Sequence, residues 1–129
     1  MVRALHVTPG TTASDLEALI GESAGAHAIL LDSATHERLG GTGAVHDWGI
    51  SAEVVRRSPL PVILAGGLRC GNVRAAIQRV RPAGIDLNTG ARDQGDRNRP
   101  QSPSRVRELV QEARSAGLTQ ETCAPRWPR

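Results

Sequence analysis

The sequence lacks Phe, Tyr and Lys altogether, and it has only two Trp and two Cys in 129 residues. Without aromatic side chains the core must be built from Val, Ile, Leu and Ala, which suits a buried parallel sheet better than an aromatic-rich sandwich. Cys70 and Cys123 are too few for a disulfide framework and lack the spacing of metal ligands. We therefore expect a reduced, cytoplasmic chain with no metal and no cofactor.

Long apolar runs are also missing. No stretch of 18 apolar residues exists, which argues against a membrane span, and the first residues do not continue into the apolar core of a signal peptide. A length of 129 residues allows one domain of ordinary size. We expect that domain to cover residues 1–117 and to be followed by a disordered tail, residues 118–129, which shows no periodicity.

The charge is unevenly distributed. The net charge is −3 up to Leu68 and +6 from Arg69 onward, and all basic residues are Arg. A basic second half could face an anionic ligand or form a solvated surface. The Arg residues are scattered without interleaved aromatics, which favours the solvated surface and disfavours nucleic-acid binding.

Four short apolar runs bounded by turn-forming residues predict four buried strands, at residues 3–7, 27–31, 61–65 and 84–89. Helical spacing of apolar residues lies between and after them. It predicts helices around Leu16–Ile20 (capped by Ser14 or Thr12), 50–57, Val73–Val80 (N-cap Asn72) and Val106–Ala113 (stopped by Gly117). Such alternation predicts an α/β fold with parallel strands and right-handed crossovers.

Four βα units are half of a closed (β/α)₈ barrel, which typically takes about 250 residues. Four parallel strands in an open sheet leave two edges and one apolar face uncovered. Either the chain forms a small doubly wound domain, or another chain supplies the rest.

Ligands of parallel α/β folds bind at the carboxyl ends of the strands. Asp32 ends the second predicted strand beside Leu30 and Leu31, where its carboxyl could act as a general acid or form a turn. A position at the end of a strand is equally compatible with both roles. His6 lies on the first strand, where a packed histidine is the commoner outcome.

Glycines follow three of the strands. A loop at Gly40–Gly43 could close over an anion or be merely flexible. Gly66-Gly67 and Asn88-Thr89-Gly90 follow consecutive strands, where backbone amides commonly hold phosphate. Turn geometry would explain each pair alone, but the two together favour anion binding.

Five motifs occur in one order: Leu30-Leu31-Asp32-Ser33, Gly40–Gly43 with Asp47-Trp48, Pro61–Leu68, Asn72-Val73 and Gly84–Gly90. In this series the sequence closely resembles the C-terminal half of the phosphoribosylanthranilate isomerase family, over about residues 3–117. The resemblance implies half of a (β/α)₈ barrel, strands five to eight.

The resemblance implies an Amadori rearrangement, in which an aminoaldose phosphate becomes a 1-amino-1-deoxyketose phosphate in tryptophan biosynthesis. Asp32 matches the general acid. Gly66, Gly67, Thr89 and Gly90 match the phosphate site, and Gly41, Thr42 and Gly43 match the substrate loop. The family's base is a cysteine on the first strand, which precedes the matched region, and Cys70 does not take its place.

The sequence also departs from the family pattern. The family's Lys after the glycine loop is Ala44, its aromatic before Asp-Trp is His46, and its Val-Glu after the last glycine is Ala91-Arg92. Two functions stay open. One is an isomerase, whose barrel is either completed by a partner chain or belongs to a longer protein of which this sequence is a truncated part. The other is a non-catalytic phosphosugar-binding half-barrel that self-associates or pairs with another chain.

Overall fold

A computed structural model of the chain describes residues 1–8, 10–32, 48–87, 91–92 and 100–118. Strands and helices alternate in this part of the chain, as the sequence predicts. They are β1 (Val2–His6), α1 (Ala13–Gly21), β2 (Ala28–Asp32), α2 (Trp48–Arg57), β3 (Val62–Ala65), α3 (Val73–Val80), β4 (Gly84–Ile85) and α4 (Pro103–Ser115).

The strands form one parallel sheet in the order β1-β2-β3-β4, which confirms the predicted parallel α/β fold. Leu5, Leu31 and Leu64 lie in one row across the sheet and are at most 3% exposed. Side chains from α1, α2 and α3 complete this core: Leu16, Val54, Ala76 and Val80. The core therefore lies between the helices and one face of the sheet.

Helix α1 begins with a capping box. The Asp15 N–H donates to Thr12 Oγ1 at 3.2 Å, and the Asp15 carboxylate accepts from the Thr12 N–H at 2.8 Å. Thr12, rather than Ser14, is thus the N-cap. These hydrogen bonds with Thr12 also hold the pKa of the Asp15 carboxyl below its ordinary value.

The fourth strand is shorter than predicted. The sequence suggested residues 84–89, whereas β4 is only Gly84–Ile85. The β3–β4 ladder pairs Ile63 with Gly84 and Leu64 with Ile85, and the Asp86 N–H donates to the Leu64 carbonyl at 2.8 Å. Residues 88 and 89 of the predicted strand lie outside the described residues.

The helix boundaries also differ from the predictions. Helix α2 begins at Trp48, and α4 begins at Pro103, because proline fits the first turn of a helix. Gly117 ends α4 with a φ of 99°, as expected, and Leu118 donates to the Ala113 carbonyl at 3.0 Å. Residues 119–129 of the predicted tail lie outside the described residues. Within the described part, no helix has the length and apolar character needed to cross a membrane.

Candidate functional site

Asp32 is the last residue of β2, at the carboxyl edge of the sheet. The buried side chains of Ile29 and Leu31 anchor the strand in the core, and the Asp32 carbonyl accepts from the Val7 N–H at 3.2 Å. Its side chain is 36% exposed. A fixed backbone thus presents a carboxyl that a ligand can reach at the edge where parallel α/β folds bind their ligands.

His6, which the sequence did not assign to the candidate site, lies next to Asp32. It pairs with Asp32 in the register of β1 and β2, and its Nδ1 lies 3.6 Å from Asp32 Oδ2. The side chain is 72% exposed, so the expectation of a packed histidine is wrong. Leu5 and Val7 point into the core, and strand alternation therefore places His6 on the opposite face, with Asp32.

The Gly66-Gly67 turn follows β3 directly. Ala65 pairs with Asp32, so the turn begins one residue beyond the partner of the candidate acid. Gly66 and Gly67 have φ values of 92° and 65°, in the left-handed region that favours glycine. The sequence therefore needs glycine at both positions for this turn, whether or not the turn holds an anion.

Asn72 holds that turn in place. Its Nδ2 donates to the Gly67 carbonyl at 3.0 Å, and its Oδ1 accepts from the Arg69 N–H at 2.8 Å. Asn72 stands at the N-cap of α3 as predicted, but its side chain makes no capping hydrogen bond to the helix. Because the Asn72 side chain instead contacts the turn that precedes the helix, we include Asn72 in the candidate site.

Several predicted site residues lie outside the described residues. These are the substrate-loop residues Gly41, Thr42 and Gly43 and the second phosphate pair, Thr89 and Gly90. Among the predicted residues that are described, the structure brings Asp32 and the Gly66-Gly67 turn together on neighbouring strands.

Cys70 lies two residues before the N-cap of α3 and packs against the buried apolar cluster of Val73, Ile77 and Leu109. Its burial, with the nearby carboxylates of Glu108 and Glu112, raises the pKa of the thiol, whereas a hydrogen bond with Arg105 lowers it. The candidate ligand atoms of Cys70, Glu108 and Glu112 lie within 4.8 Å of one another. Arg105 Nη1 already supplies positive charge there, 3.6 Å from Glu108 Oε2. A raised pKa disfavours the thiolate that a nucleophile or base needs.

A groove of about 620 Å³ lies at the opposite edge of the sheet. Leu60 and Pro61 line it just before β3, and Pro82 and Ala83 line it just before β4. It therefore sits at the amino ends of the strands, away from Asp32 and the glycine turn.

Parallel strands alternating with helices, with an acid beside a glycine turn at the carboxyl edge, define a protein of the parallel α/β class. The chain matches the sequence model of N-(5'phosphoribosyl)anthranilate (PRA) isomerase over residues 7–112. It belongs to this family.

Individual relatives agree. A curated N-(5'-phosphoribosyl)anthranilate isomerase from Methanosarcina acetivorans is 40% identical over 93 residues, which cover 72% of this chain and 37% of the relative. The solved phosphoribosyl anthranilate isomerase from Thermococcus kodakaraensis has a TM-score of 0.68 and 30% identity, and the match covers 88% of this chain and 51% of that one.

A further solved phosphoribosyl anthranilate isomerase, in complex with reduced 1-(O-carboxyphenylamino)-1-deoxyribulose 5-phosphate, has a TM-score of 0.62 over 88% of this chain and 48% of that one. At 23% identity it supports the fold alone. The chain thus spans about half the length of the solved structures that it matches, and 37% of the Methanosarcina relative.

Proposed function

We propose that this chain carries the acid and phosphate-binding half of a phosphoribosylanthranilate isomerase, corresponding to strands five to eight of the barrel. The observation that carries the proposal is the placement of Asp32 and the Gly66-Gly67 turn on hydrogen-bonded neighbouring strands. A substrate with a phosphate at one end and a sugar ring near it could engage both at once. The proposed substrate is therefore a small phosphorylated sugar, and membership of the family adds the aromatic amine.

In this proposal Asp32 is the general acid. Its carboxyl gives a proton to the ribose ring oxygen as the C1–O bond breaks, and the amine nitrogen stabilises the open chain as an iminium ion. A base then removes the proton from C2, and the resulting enolamine tautomerises to the aminoketose. No oxidant or cofactor is needed, because the rearrangement only moves protons and electron pairs within the substrate.

The phosphate would rest on backbone amides of Gly66 and Gly67, completed by Thr89 and Gly90. Glycine at these turns leaves room for phosphate oxygens to approach the backbone closely. Gly41, Thr42 and Gly43 would form the loop that closes over the substrate. The assignments of Thr89, Gly90 and the loop rest on the family resemblance.

The base is expected outside these 129 residues. The family's cysteine precedes the region that these residues match, and burial raises the pKa of the Cys70 thiol, which disfavours the thiolate that a base needs. Full activity in the proposed cytoplasmic setting therefore requires a complementary N-terminal half-barrel. Because the chain spans only about half of its solved relatives, the second candidate function is a phosphosugar-binding half-barrel without turnover.

Complementation tests the catalytic proposal. The purified chain should convert phosphoribosylanthranilate barely or not at all, because a missing general base typically costs about 10²–10⁴-fold in rate. Adding the N-terminal half of a related isomerase should restore turnover, and Asp32→Asn should abolish it again. Glu22→Gln, a similar change on the surface, should not. Turnover that survives Asp32→Asn would exclude Asp32 as the acid, and no turnover in any mixture would favour the binding function.

Thermal unfolding with inorganic phosphate tests the binding site. Phosphate that binds only the folded chain raises the midpoint, by about 2.7 kcal/mol of stabilisation at a hundred times Kd. Gly67→Val should abolish this response. Gly25 also has a positive φ (85°), so Gly25→Val imposes similar backbone strain elsewhere and should leave the response intact. An equal phosphate response in Gly67→Val and in the unsubstituted chain would contradict the assignment.

A further inference from the structure

One face of the sheet carries no helix among the described residues. Register places Ala4, Leu30, Ile63 and Gly84 in one row on this face, and a Cβ at Gly84 would lie 3.8 Å from Ile63 Cγ1. Ala4 is exposed, and Leu30 and Ile63 are only half-buried. The next row of the sheet, Leu5, Leu31 and Leu64, is covered by helices and at most 3% exposed. We call the uncovered side the open face.

Within the described residues the sheet also has two free edges, on β1 and β4. The Val7 N–H donates to Asp32, and the Met1 carbonyl accepts from His27 at 2.8 Å, so odd-numbered residues of β1 bond to β2. Backbone groups alternate in direction along a strand. The N–H and C=O groups of Val2, Ala4 and His6 therefore point outward, toward a strand that this chain does not supply within its described residues.

The free edges and open faces of two copies are complementary to each other. Because the strands are parallel and follow chain order, the free edge of β4 is the edge on which a following β1 would pair. A twofold rotation brings the β1 of one copy to the β4 of the other at both seams, which removes every edge. The result has eight parallel strands in 258 residues, close to the roughly 250 residues of an ordinary (β/α)₈ barrel.

The side chains of the open face suit this closure. Leu30 and Ile63, on the central strands, would meet their counterparts across the axis, and the small residues Ala4 and Gly84 lie on the strands that form the seams. This row carries no charge, so two copies can bury it without an unpaired ion. The solved relatives match 88% of this chain with about half of their own length. A second copy of this chain would supply a similar additional length.

We propose that two copies of this chain associate through the open face and the β1 and β4 edges to form a closed, twofold-symmetric parallel barrel. Both copies would place Asp32, His6 and the Gly66-Gly67 turn at one mouth, giving two acids and two phosphate turns without the cysteine base. The statement that the second copy contributes an acid and a phosphate turn to a substrate site rests on the proposed function. The existence of the dimer does not, because its mass is measured without substrate.

Molar mass from light scattering on the purified 129-residue chain tests the assembly. The expected mass is twice the 13.7 kDa of one chain. Hydrogen exchange then tests the geometry: the amides of Val2, Ala4 and His6 should be protected, and increasingly so as the protein concentration rises. A monomer, an open-ended larger assembly, or a dimer whose three edge amides exchange freely would each overturn the proposal. A monomer that forms a 1:1 complex only with an N-terminal half-barrel would overturn it in favour of that partner.

Two pairs of variants make the test specific. Ala4→Pro removes one outward N–H at each seam and should raise the dimer Kd at least about tenfold, whereas Ala4→Ser keeps the N–H and should not. Ile63→Asp places a charge on the open face and should give a monomer, whereas Val110→Asp, on an exposed position of α4, should not. Circular dichroism identifies any variant that is unfolded. A folded Ala4→Pro or Ile63→Asp dimer of unchanged Kd would refute the interface.

Discussion

Replacing Asn72 with Ala should both destabilise the chain and weaken its response to phosphate. The Asn72 side chain makes two hydrogen bonds, to the Gly67 carbonyl at 3.0 Å and from the Arg69 N–H at 2.8 Å. Each such bond contributes about 0.5–1.5 kcal/mol, so losing both should lower the free energy of unfolding by about 1–3 kcal/mol. For a domain of this size, 1 kcal/mol shifts Tm by roughly 4 °C, which gives a fall of roughly 4–12 °C.

A matched control separates stability from binding. Ser58 makes two comparable bonds in the turn before β3, where its Oγ donates to the Leu60 carbonyl at 2.9 Å and accepts from the Leu60 N–H at 3.0 Å. Ser58→Ala should therefore cost a similar free energy at the amino edge of the sheet. Calorimetry with and without inorganic phosphate should show the phosphate shift in Tm kept in Ser58→Ala and reduced in Asn72→Ala.

Two outcomes would refute this reasoning. An Asn72→Ala variant with unchanged Tm would mean that the two bonds contribute nothing net to stability. A destabilised variant with the full phosphate shift would mean that the Gly66-Gly67 turn does not hold the anion.

Two further predictions concern α2. Ser51 is fully buried, and its hydroxyl has no hydrogen-bond partner among the described residues. Ser51→Ala should therefore raise the free energy of unfolding by about 1 kcal/mol, measured by urea unfolding. A lower free energy of unfolding in Ser51→Ala would mean that the hydroxyl has a partner. Hydrogen bonds from Arg56 and Arg57 lower the pKa of Glu53 from 4.5 to about 2, so its contribution to stability is present above pH 4.5 and lost as the pH falls toward 2. Glu53→Gln should therefore unfold at lower urea than the unsubstituted chain at pH 7 but not near pH 2. Because the Glu53 side chain is 31% exposed, 1 M salt should reduce the difference in midpoint at pH 7, and equal midpoints at pH 7 would contradict the prediction.

The sequence was informative about the fold because each element is marked locally. Short apolar runs between turn formers gave β1, β2 and β3 to within about one residue, and the helical spacing of Val73, Ile77 and Val80 gave α3. The length of β4 was not marked locally. It depends on how far β3 and β4 run side by side, which the tertiary fold sets and the apolar run at residues 84–89 does not show.

The candidate site was predicted in part for the same reason. Asp32 and the glycine turn lie at strand ends, which the sequence marks. The exposure of His6 depends instead on which face of the sheet the helices cover, and the reach of Asn72 to Gly67 depends on the shape of the turn between them. The spacing of residues along the chain predicts neither the exposure of His6 nor the hydrogen bond from Asn72 to Gly67.

The sheet topology also separates binding from turnover in the proposed enzyme. Asp32 and the Gly66-Gly67 turn lie on β2 and β3, which pair directly, so the acid and this part of the phosphate site fold as one unit held by the core. In the proposed enzyme the base lies outside these residues, because the matched region follows the family's first strand. A chain of this kind can therefore keep its affinity for a phosphosugar while losing the 10²–10⁴-fold that a general base typically supplies. Selection for binding alone would preserve the glycine turn and Asn72, whereas selection for turnover would also require residues outside this sequence that carry the base to this edge.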